Sequence, residues 1–364
     1  MNIVINAVLA HEQPRGVGRY INNLLPAMAS IDKNNQYYIY YGKWMSNYDF
    51  LNIRQDNFHF IELDIRNSQI IRNIYLALFL PIKCLKYHPN IFFLIDTQAI
   101  LFKPCKVLST IHDLAEFVVP EKYSKKQALL RRAIVTVQVK LSNRILTVSE
   151  YSKNDICKRF HTPENKVHVT YNAVRSNGTE KMAQPEKYFL FVSETEKAKN
   201  LMALIRAFAL LPAEVREEYS IYVVGKKGND YENIKNEIAK KEFTSKVKFW
   251  GYLSDKELAD LYAKAYAFVF PSFFEGFGLP VLEAMERGTP VLCSNTSSIP
   301  EVGGDAVLTF DPYNPHDLAN QMCKLIDNCK LRKEMILKGI ARAKLFTPER
   351  CALDTLAVIS AMQK

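Results

Sequence analysis

Residues 268–285 read FVFPSFFEGFGLPVLEAM, and the order of features within this stretch decides the fold. An apolar run ends at Pro271, a loop with two glycines follows, and an apolar helix pattern begins near Pro280. Proline is tolerated in the first turn of a helix, because its missing N–H would be unpaired there anyway. The stretch therefore predicts a buried strand, a loop and a helix, which is the repeating unit of a parallel α/β sheet.

The predicted loop carries groups that suit an anionic, hydroxyl-rich ligand. Backbone N–H groups and the helix dipole favour phosphate at a helix start. Glu275 precedes the helix and Glu283 lies one turn inside it, so the two carboxylates can accept hydrogen bonds from hydroxyls at different depths of one cleft. A ligand in which a sugar and a ribose are joined by a diphosphate would fit this layout. The N–H groups expected to bind it belong to Gly276, Phe277, Gly278 and Leu279.

The alternation of short apolar runs and helical stretches extends over all 364 residues, a length that indicates two domains. We predict an α/β fold of two Rossmann-like, doubly wound domains with an interdomain cleft that holds the ligand. The domains are expected at 1–176 and 177–349, with a linker at 176–179 and a last helix at 350–364 that packs back on the first domain. The predicted strands are 3–5, 37–41, 58–63, 91–95, 107–111, 144–148, 167–170, 188–192, 219–224, 247–249, 267–270, 290–293 and 306–310, and the clearest helices are 18–30 and 127–142.

The net charge of +10 comes entirely from the first half of the chain. Residues 1–176 hold 23 Lys/Arg against 13 Asp/Glu, whereas residues 177–364 hold 25 of each. Such an excess attracts anionic surfaces, for which lipid head groups and a diphosphate-bearing acceptor are the candidates. Residues 125–134 read as a basic amphipathic helix that would dock on the cytoplasmic leaflet. A solvated basic surface, with this helix packed on the sheet, is the alternative. Nucleic acid is disfavoured, because no helix-turn-helix, RRM or zinc-finger pattern occurs.

The sequence indicates a cytoplasmic protein. Its seven cysteines are scattered without zinc-ligand spacing, as is usual in a reducing compartment. The amino terminus lacks the basic and apolar segments of a signal peptide. No apolar run reaches the roughly 20 residues that cross a bilayer. We therefore expect at most peripheral contact with a membrane.

Glu275 and Glu283 form an E-x7-E motif that is accompanied by other motifs in a fixed order. They include RGVGRY at 15–20, STIHDL at 109–114, TVSEYSK at 147–153, VTYNAV at 169–174, ERGTPV at 286–291 and EVGGDA at 301–306. Over nearly the whole chain this set resembles the family 4 glycosyltransferases, which have the GT-B fold and act with retention. Members with this glycine loop and His-Asp segment are often bacterial mannosyltransferases that use GDP-mannose in surface-polysaccharide assembly.

The resemblance implies a role for each matching residue. Glu275 contacts the donor sugar, Glu283 the ribose, and His112 lies near the transferred sugar. The implied catalytic residues are Glu275, His112 and Lys199, and the implied donor-binding residues are Gly16, Gly18, Lys197, Tyr252, Leu253, Gly276, Phe277, Gly278, Leu279 and Glu283. Ala198 departs from the family pattern, because arginine is usual there. Lys197 is a substitute that lacks the guanidinium fork.

The resemblance also implies the reaction and its partners. A sugar passes from a nucleotide diphosphate to a hydroxyl of a growing lipid-linked polysaccharide. UDP- and dTDP-sugars remain open as donors beside GDP-mannose. No cofactor and no metal are expected: the chain has no D-x-D pair, and cationic groups can stabilise the leaving diphosphate. The leaving phosphate oxygen itself is expected to deprotonate the acceptor on the same face.

Each of these residues also has a purely structural interpretation. Glu283 would be a carboxylate on a helix surface, and Glu275 would cap the following turn. His112 would be a histidine at a strand end whose hydrogen bonds are made within the protein. Lys199 would be a surface charge, and Gly16 and Gly18 would form a tight turn. Two other functions remain open. An NAD-dependent oxidoreductase is disfavoured because Ile21 stands where the third glycine of G-x-G-x-x-G belongs. A non-catalytic sugar-nucleotide-binding protein is disfavoured because the acidic and basic residues of the motifs are all present.

Overall fold

The computed structural model describes residues 1–14, 16–98, 100–175, 184–241 and 243–363. The chain divides into two compact units, Met1–Arg175 with Phe346–Lys364, and Ser176–Leu345. The predicted linker at 176–179, and Arg15 of the glycine motif, lie outside the described residues.

The first unit is a seven-stranded parallel sheet covered by helices. Its strands are β1 (Asn2–Asn6), β2 (Gln36–Gly42), β3 (Phe58–Leu63), β4 (Ile91–Leu94), β5 (Lys106–Thr110), β6 (Arg144–Thr147) and β7 (Val167–Val169). Their order is β3-β2-β1-β4-β5-β6-β7. Six of its α-helices precede the second unit in the chain: α1 (Gly16–Ile31), α2 (Gln69–Ile74), α3 (Leu80–Cys84), α4 (Ala115–Val118), α5 (Lys125–Leu141) and α6 (Glu150–Phe160). A π-helical turn, Tyr75–Phe79, joins α2 to α3.

Both faces of this sheet are buried, as expected for parallel strands. Ile3 and Ile5 of β1 pack in a cluster with α1, whereas Val4 packs on the opposite face in a cluster with α3. Successive side chains of a strand point to opposite faces. The continuous apolar run of β1 is therefore the pattern that a strand covered on both faces requires.

The second unit repeats this architecture with six parallel strands. They are β8 (Glu186–Val192), β9 (Ser220–Val224), β10 (Val247–Gly251), β11 (Ala265–Phe270), β12 (Val291–Ser294) and β13 (Val307–Phe310), in the order β10-β9-β8-β11-β12-β13. Its helices are α7 (Leu201–Ala209), α8 (Ala213–Glu218), α9 (Tyr231–Lys240), α10 (Asp255–Lys264), α11 (Leu279–Glu286), α12 (Ile299–Gly303), α13 (Pro315–Asp327) and α14 (Cys329–Ala343).

The last helix, α15 (Pro348–Ala361), belongs to the first unit. Its Cys351, Ala352 and Ile359 are buried in the cluster that α1 forms with the sheet. The Val174 N–H donates to the Phe346 carbonyl at 3.1 Å, an ordinary backbone hydrogen-bond length. The chain therefore returns to its first unit at its carboxyl end.

The predicted α/β class with two Rossmann-like domains is confirmed, and every predicted strand is found within two residues of its expected ends. The first long helix begins at Gly16, two residues earlier than predicted. Gly16 therefore lies in the first turn of the helix, together with Gly18, rather than in a loop before it. Among the described residues, no helix is both long enough and apolar enough to cross a bilayer.

Candidate active site

The stretch that predicted the fold forms the predicted strand, loop and helix. Strand β11 ends at Phe270, and α11 begins at Leu279 with Pro280 in its first turn. Gly278 precedes the helix with φ of 107°, a conformation that L side chains rarely adopt. The first N–H groups of a helix have no partner inside it, so this helix start can donate to a ligand.

Lys199 and Glu275 meet in the structure although 76 residues separate them in the chain. The Lys199 Nζ donates to the Glu275 Oε1 at 2.7 Å, and the side chains are 21% and 15% exposed. Lys199 follows β8 and Glu275 follows β11, the two central strands where the strand order changes direction. Open parallel sheets bind ligands at that point, outside the carboxyl ends of the strands.

Main-chain contacts hold the two loops together. The Phe273 N–H donates to the Ala198 carbonyl at 3.0 Å. The side-chain amide of Asn200, which is buried and has φ of 56°, donates to the Pro271 carbonyl at 3.1 Å. Asparagine tolerates this left-handed conformation better than most residues. The backbone on both sides of Lys199 is therefore positioned by the loop that carries Glu275.

Only one of the two predicted lysines contacts the acid. Lys197 is exposed, and its backbone N–H donates to the Asn229 Oδ1 at 3.0 Å. Ala198, which stands where arginine is usual, contributes its carbonyl to the loop contact described above. The idea that Lys197 replaces the missing arginine stays a prediction.

Two serines that the sequence analysis missed hold the Glu275 loop. The Glu275 N–H donates to the Ser297 Oγ at 3.0 Å. The Ser298 hydroxyl lies 2.9 Å from the Glu275 carbonyl and 3.1 Å from that of Phe277. The run SNTSS at 294–298, directly after the buried strand β12, was the available signal, because polar residues there lie at the same sheet edge.

Glu283 lies in α11, one turn after Leu279, and is partly exposed. The hydroxyl of Tyr262 donates to the Glu283 Oε2 at 3.3 Å, and Tyr262 itself is buried. A buried phenol restricts the rotamers of the carboxylate that it contacts. Glu283 is therefore an oriented acid on the helix that starts at the loop.

The loops after β9 and β10 lie at the same edge of the sheet. The Gly225 N–H donates to the Gly251 carbonyl at 2.8 Å, and Tyr252, which follows Gly251, is 66% exposed. The Lys226 Nζ lies 5.8 Å from the centre of the Tyr252 ring. Leu253 is partly exposed. An exposed aromatic ring beside a partly exposed leucine can stack on a planar base.

The other predicted residues lie in the first unit. The His112 Nε2 donates to the Ile95 carbonyl at 3.2 Å, because a carbonyl oxygen can only accept. The ring of Tyr20 meets the His112 ring edge-on at 4.9 Å between centres. A methyl group at Gly18 would lie 3.1 Å from Pro14 and Tyr48, so both side chains would have to shift slightly to accept it.

The two sheets define a class, that of doubly wound parallel α/β proteins with loops at the carboxyl ends of their strands. Two family models match the sequence and identify the family within this class. Residues 14–177 match Glycosyltransferase Family 4, and residues 177–342 match Glycosyl transferases group 1. The chain belongs to the family 4 glycosyltransferases.

Relatives agree with this assignment. The chain is 31% identical over 263 residues to the O-antigen chain mannosyltransferase B of Escherichia coli, covering 69% of each chain. It is 31% identical over 203 residues to the O-antigen chain mannosyltransferase RfbU of Salmonella typhimurium, covering 56% of each. The aligned part therefore spans 69% of the first relative and 56% of the second.

Solved structures confirm the GT-B fold. A sucrose-phosphate synthase from Thermosynechococcus elongatus superposes with a TM-score of 0.77 at 18% identity, over 99% of this chain and 98% of that one. The Anabaena protein HepE in complex with UDP and glucose superposes with a TM-score of 0.75 at 15% identity, over 98% and 99%. Identities this low establish the shared fold alone.

Proposed function

We propose that this glycosyltransferase moves a mannosyl residue, with retention, from GDP-mannose to a hydroxyl of a growing, lipid-linked surface polysaccharide. Support for mannose and for surface polysaccharide comes from the two O-antigen chain mannosyltransferases to which the chain is similar. Retention is the stereochemical course that family membership implies.

The ion pair of Lys199 and Glu275 is the observation that carries the proposal. An ammonium has three donors, of which one serves the Glu275 Oε1. The others can point at diphosphate oxygens, while the second oxygen of Glu275 accepts from a sugar hydroxyl. A single pair thus binds both sides of the bond that breaks.

Charge separation explains why this location suits the reaction. As the bond between the sugar and the diphosphate breaks, positive charge develops on the sugar carbon and negative charge on the leaving phosphate oxygen. Preorganised cationic groups stabilise such charge without reorganising during the reaction. Lys199 and the first turn of α11 supply them. The leaving oxygen then takes the proton of the acceptor hydroxyl as that hydroxyl bonds to the same face of the sugar.

The remaining residues are assigned to binding. Glu283, oriented by Tyr262, accepts from the ribose hydroxyls, and Tyr252 and Leu253 contact the base. We assign His112 to the transferred sugar. Its Nε2 is committed to the Ile95 carbonyl, so this hydrogen bond fixes the orientation of the ring. We assign Gly16, which is exposed in the first turn of α1, to the diphosphate, and the buried Gly18 to the close packing behind it.

A thermal-shift series tests the donor. GDP-mannose at 100 times its dissociation constant stabilises a protein by about 2.7 kcal/mol, which corresponds to about 5–10 °C for a unit of this size. We expect this shift with GDP-mannose and GDP, and a smaller shift with UDP-glucose, UDP-N-acetylglucosamine and dTDP-rhamnose. A larger shift with a UDP- or dTDP-sugar would transfer the proposal to that donor.

Variants of the same series test the ribose contact. Glu283→Gln is expected to lose most of the GDP-mannose shift. Glu232→Gln, which changes an exposed acid on α9 in the same unit, is expected to keep it. Equal shifts in both variants would contradict the role of Glu283.

We also propose that transfer needs no metal ion, because Lys199 and the start of α11 provide the positive charge at the diphosphate. Treatment with EDTA is expected to leave the initial rate of transfer within about twofold, since no ionic bridge to the diphosphate is removed. Radiolabelled donor and a rate measurement before and after chelation check this. A rate lost on chelation and restored by Mn²⁺ would overturn it.

A further inference from the structure

An exposed pair of aromatic side chains borders the ion pair of Lys199 and Glu275 in the second unit. The rings of Phe273 and Tyr313 are stacked, with 4.8 Å between their centres and 26° between their planes. Phe273 lies two residues before Glu275, and Tyr313 follows strand β13. Phe273 is partly exposed and Tyr313 is 73% exposed, so the Tyr313 ring is supported on one side and open to solvent on the other. We call this pair the aromatic platform.

Hydrogen bonds tie the loop of Tyr313 to the loop of Lys199. The buried Asn200 amide donates to the Pro312 carbonyl at 2.9 Å, in addition to its bond to the loop of Glu275. The Tyr313 N–H donates to the Asp311 Oδ1 at 2.9 Å. One asparagine therefore connects three loops, those after β8, β11 and β13, and it does so at the residue that follows Lys199.

The backbone of Phe273 is held from two sides. Its N–H donates to the Ala198 carbonyl at 3.0 Å, and its carbonyl accepts from the Thr296 hydroxyl at 3.0 Å. Ala198 follows β8 and Thr296 follows β12, the strands on either side of β11. Both members of the platform thus lie on restrained backbone. Ordering such side chains around a ligand costs less conformational entropy than ordering a mobile loop, so the platform is preorganised for binding.

The position of the platform along the sheet edge separates it from the proposed donor. In the strand order β10-β9-β8-β11-β12-β13, Tyr252 follows β10, Lys199 follows β8 and Glu275 follows β11. Strand β13, which precedes Tyr313, lies two strand spacings beyond β11, or about 10 Å, on the side away from Tyr252. The base, the diphosphate and the donor sugar therefore occupy the edge up to β11, and the Tyr313 ring lies beyond them.

An aromatic ring face is suited to the C–H face of a pyranose. The face of the ring carries negative partial charge, whereas the hydrogens on sugar carbons carry positive partial charge. Stacking also removes apolar surface of both partners from water. The hydroxyls of the sugar point outward from the ring and keep their bonds to water or to polar groups. A rigid, exposed tyrosine beside a sugar-nucleotide site is therefore a place for a second sugar ring.

We propose that the aromatic platform of Phe273 and Tyr313 binds a pyranose ring of the acceptor glycan, beside the hydroxyl that receives the transferred sugar. That this sugar belongs to the acceptor rests on the proposed function, whereas the binding of a sugar ring does not. Substitution on the same face brings the accepting hydroxyl next to the leaving phosphate oxygen, and therefore next to Lys199. Because Asn200 ties the loop of Lys199 to that of Tyr313, one acceptor sugar can reach both.

Saturation-transfer difference NMR tests the platform on the full chain without any sugar nucleotide. The ligands are α-linked mannotriose, whose rings have rigid C–H faces, and mannitol, which has hydroxyls but no ring. We expect the wild type to saturate the ring protons of mannotriose and to leave mannitol nearly unsaturated. Titration is expected to show that Tyr313→Ala weakens mannotriose binding by about tenfold, because stacking and apolar contact are lost. Tyr313→Phe keeps the ring and is expected to bind within about twofold of the wild type.

A control variant and a donor measurement complete the test. Leu337→Ala removes a similarly exposed apolar side chain, 66% exposed, from α14 of the same unit, and it is expected to bind mannotriose as the wild type does. Tyr313→Ala is expected to keep the GDP-mannose thermal shift, because the platform lies beyond the donor. The absence of that shift in the wild type would count against the donor proposal alone, since mannotriose binding is measured without a nucleotide.

Three outcomes would overturn the inference. The first is saturation of mannotriose by the wild type that is absent or no stronger than that of mannitol. The second is equal mannotriose binding by the wild type and Tyr313→Ala, which would make the platform an ordinary surface pair. The third is loss of the GDP-mannose thermal shift in Tyr313→Ala, which would make the donor sugar the occupant.

Discussion

Lys199→Ala is expected to lower kcat/KM for glycosyl transfer by about 100- to 1,000-fold, the usual loss when one preorganised group that stabilises transition-state charge is removed. The ammonium lies 2.7 Å from the Glu275 carboxylate at the switch point of the second sheet. The other lysine of this loop, Lys197, is exposed. In the described part of the chain, Glu275 pairs with Lys199 and not with Lys197. The kcat is expected to fall more than KM rises, because the charge is needed most as the bond breaks.

A matched control exists on the same strand. Lys187, at the opposite end of β8, pairs with Glu218 at 2.5 Å, and both side chains are more than half exposed. Lys187→Ala removes an ion pair of the same composition far from the carboxyl edge of the sheet. Surface pairs contribute little, so its rate is expected to stay within about twofold of the wild type. Full activity in folded Lys199→Ala, with circular dichroism unchanged, would refute the assignment.

Gly225→Ala is expected to destabilise the second unit by about 3 kcal/mol or more. Gly225 has φ of 140°, and a methyl group there would lie 2.1 Å from the Ser193 carbonyl oxygen. Because the methyl group would clash with backbone rather than with a flexible side chain, the loops after β8 and β9 would have to separate to remove the clash. The hydrogen bond from the Ser193 N–H to the Val224 carbonyl, at 2.9 Å, joins these two loops and would be lost.

Gly251→Ala is the matched comparison for Gly225→Ala. Gly251 has φ of 70°, but open space surrounds the position of an added methyl group. Only the left-handed backbone is penalised there, by about 1–2 kcal/mol. The difference between the two variants therefore isolates the steric contact from the backbone conformation.

The chain offers a fluorescence probe for this measurement. Its two tryptophans are Trp44 in the first unit and Trp250 in the second. In a Trp44→Phe background, denaturant unfolding followed by Trp250 emission reports the second unit alone. Equal free energies of unfolding for Gly225→Ala and Gly251→Ala would contradict the steric argument.

The sequence predicted local features well. All the strands were found because each is a short apolar, β-branched run between turn residues, a pattern that is readable without knowing its neighbours. The loop and helix start at Gly278 and Pro280 were found for the same reason. The early start of α1 and the π-helical turn at Tyr75–Phe79 were missed, because helix ends and local helix type respond to packing.

The sequence pattern did not predict the exposure of side chains along an apolar groove between α2 and the start of α5. Leu130 and Ile134 fit the pattern of a helix packed on the sheet, which was one of the two interpretations of residues 125–134. Leu130 is 51% exposed in the structure, and it lines the groove opposite residues of α2. The exposure of a side chain depends on what the rest of the chain places over it, so periodicity alone cannot report it.

The amino-acid order alone determined the α/β class, the tandem of two sheets and the E-x7-E segment, because each depends on residues that are neighbours in the chain. Only the tertiary structure decided that Lys199 meets Glu275 and that Ser297 and Ser298 hold the loop of that acid. These residues follow three different strands, β8, β11 and β12. Their side chains converge because parallel strands end at one edge, and which strands lie side by side is settled only when the sheet assembles.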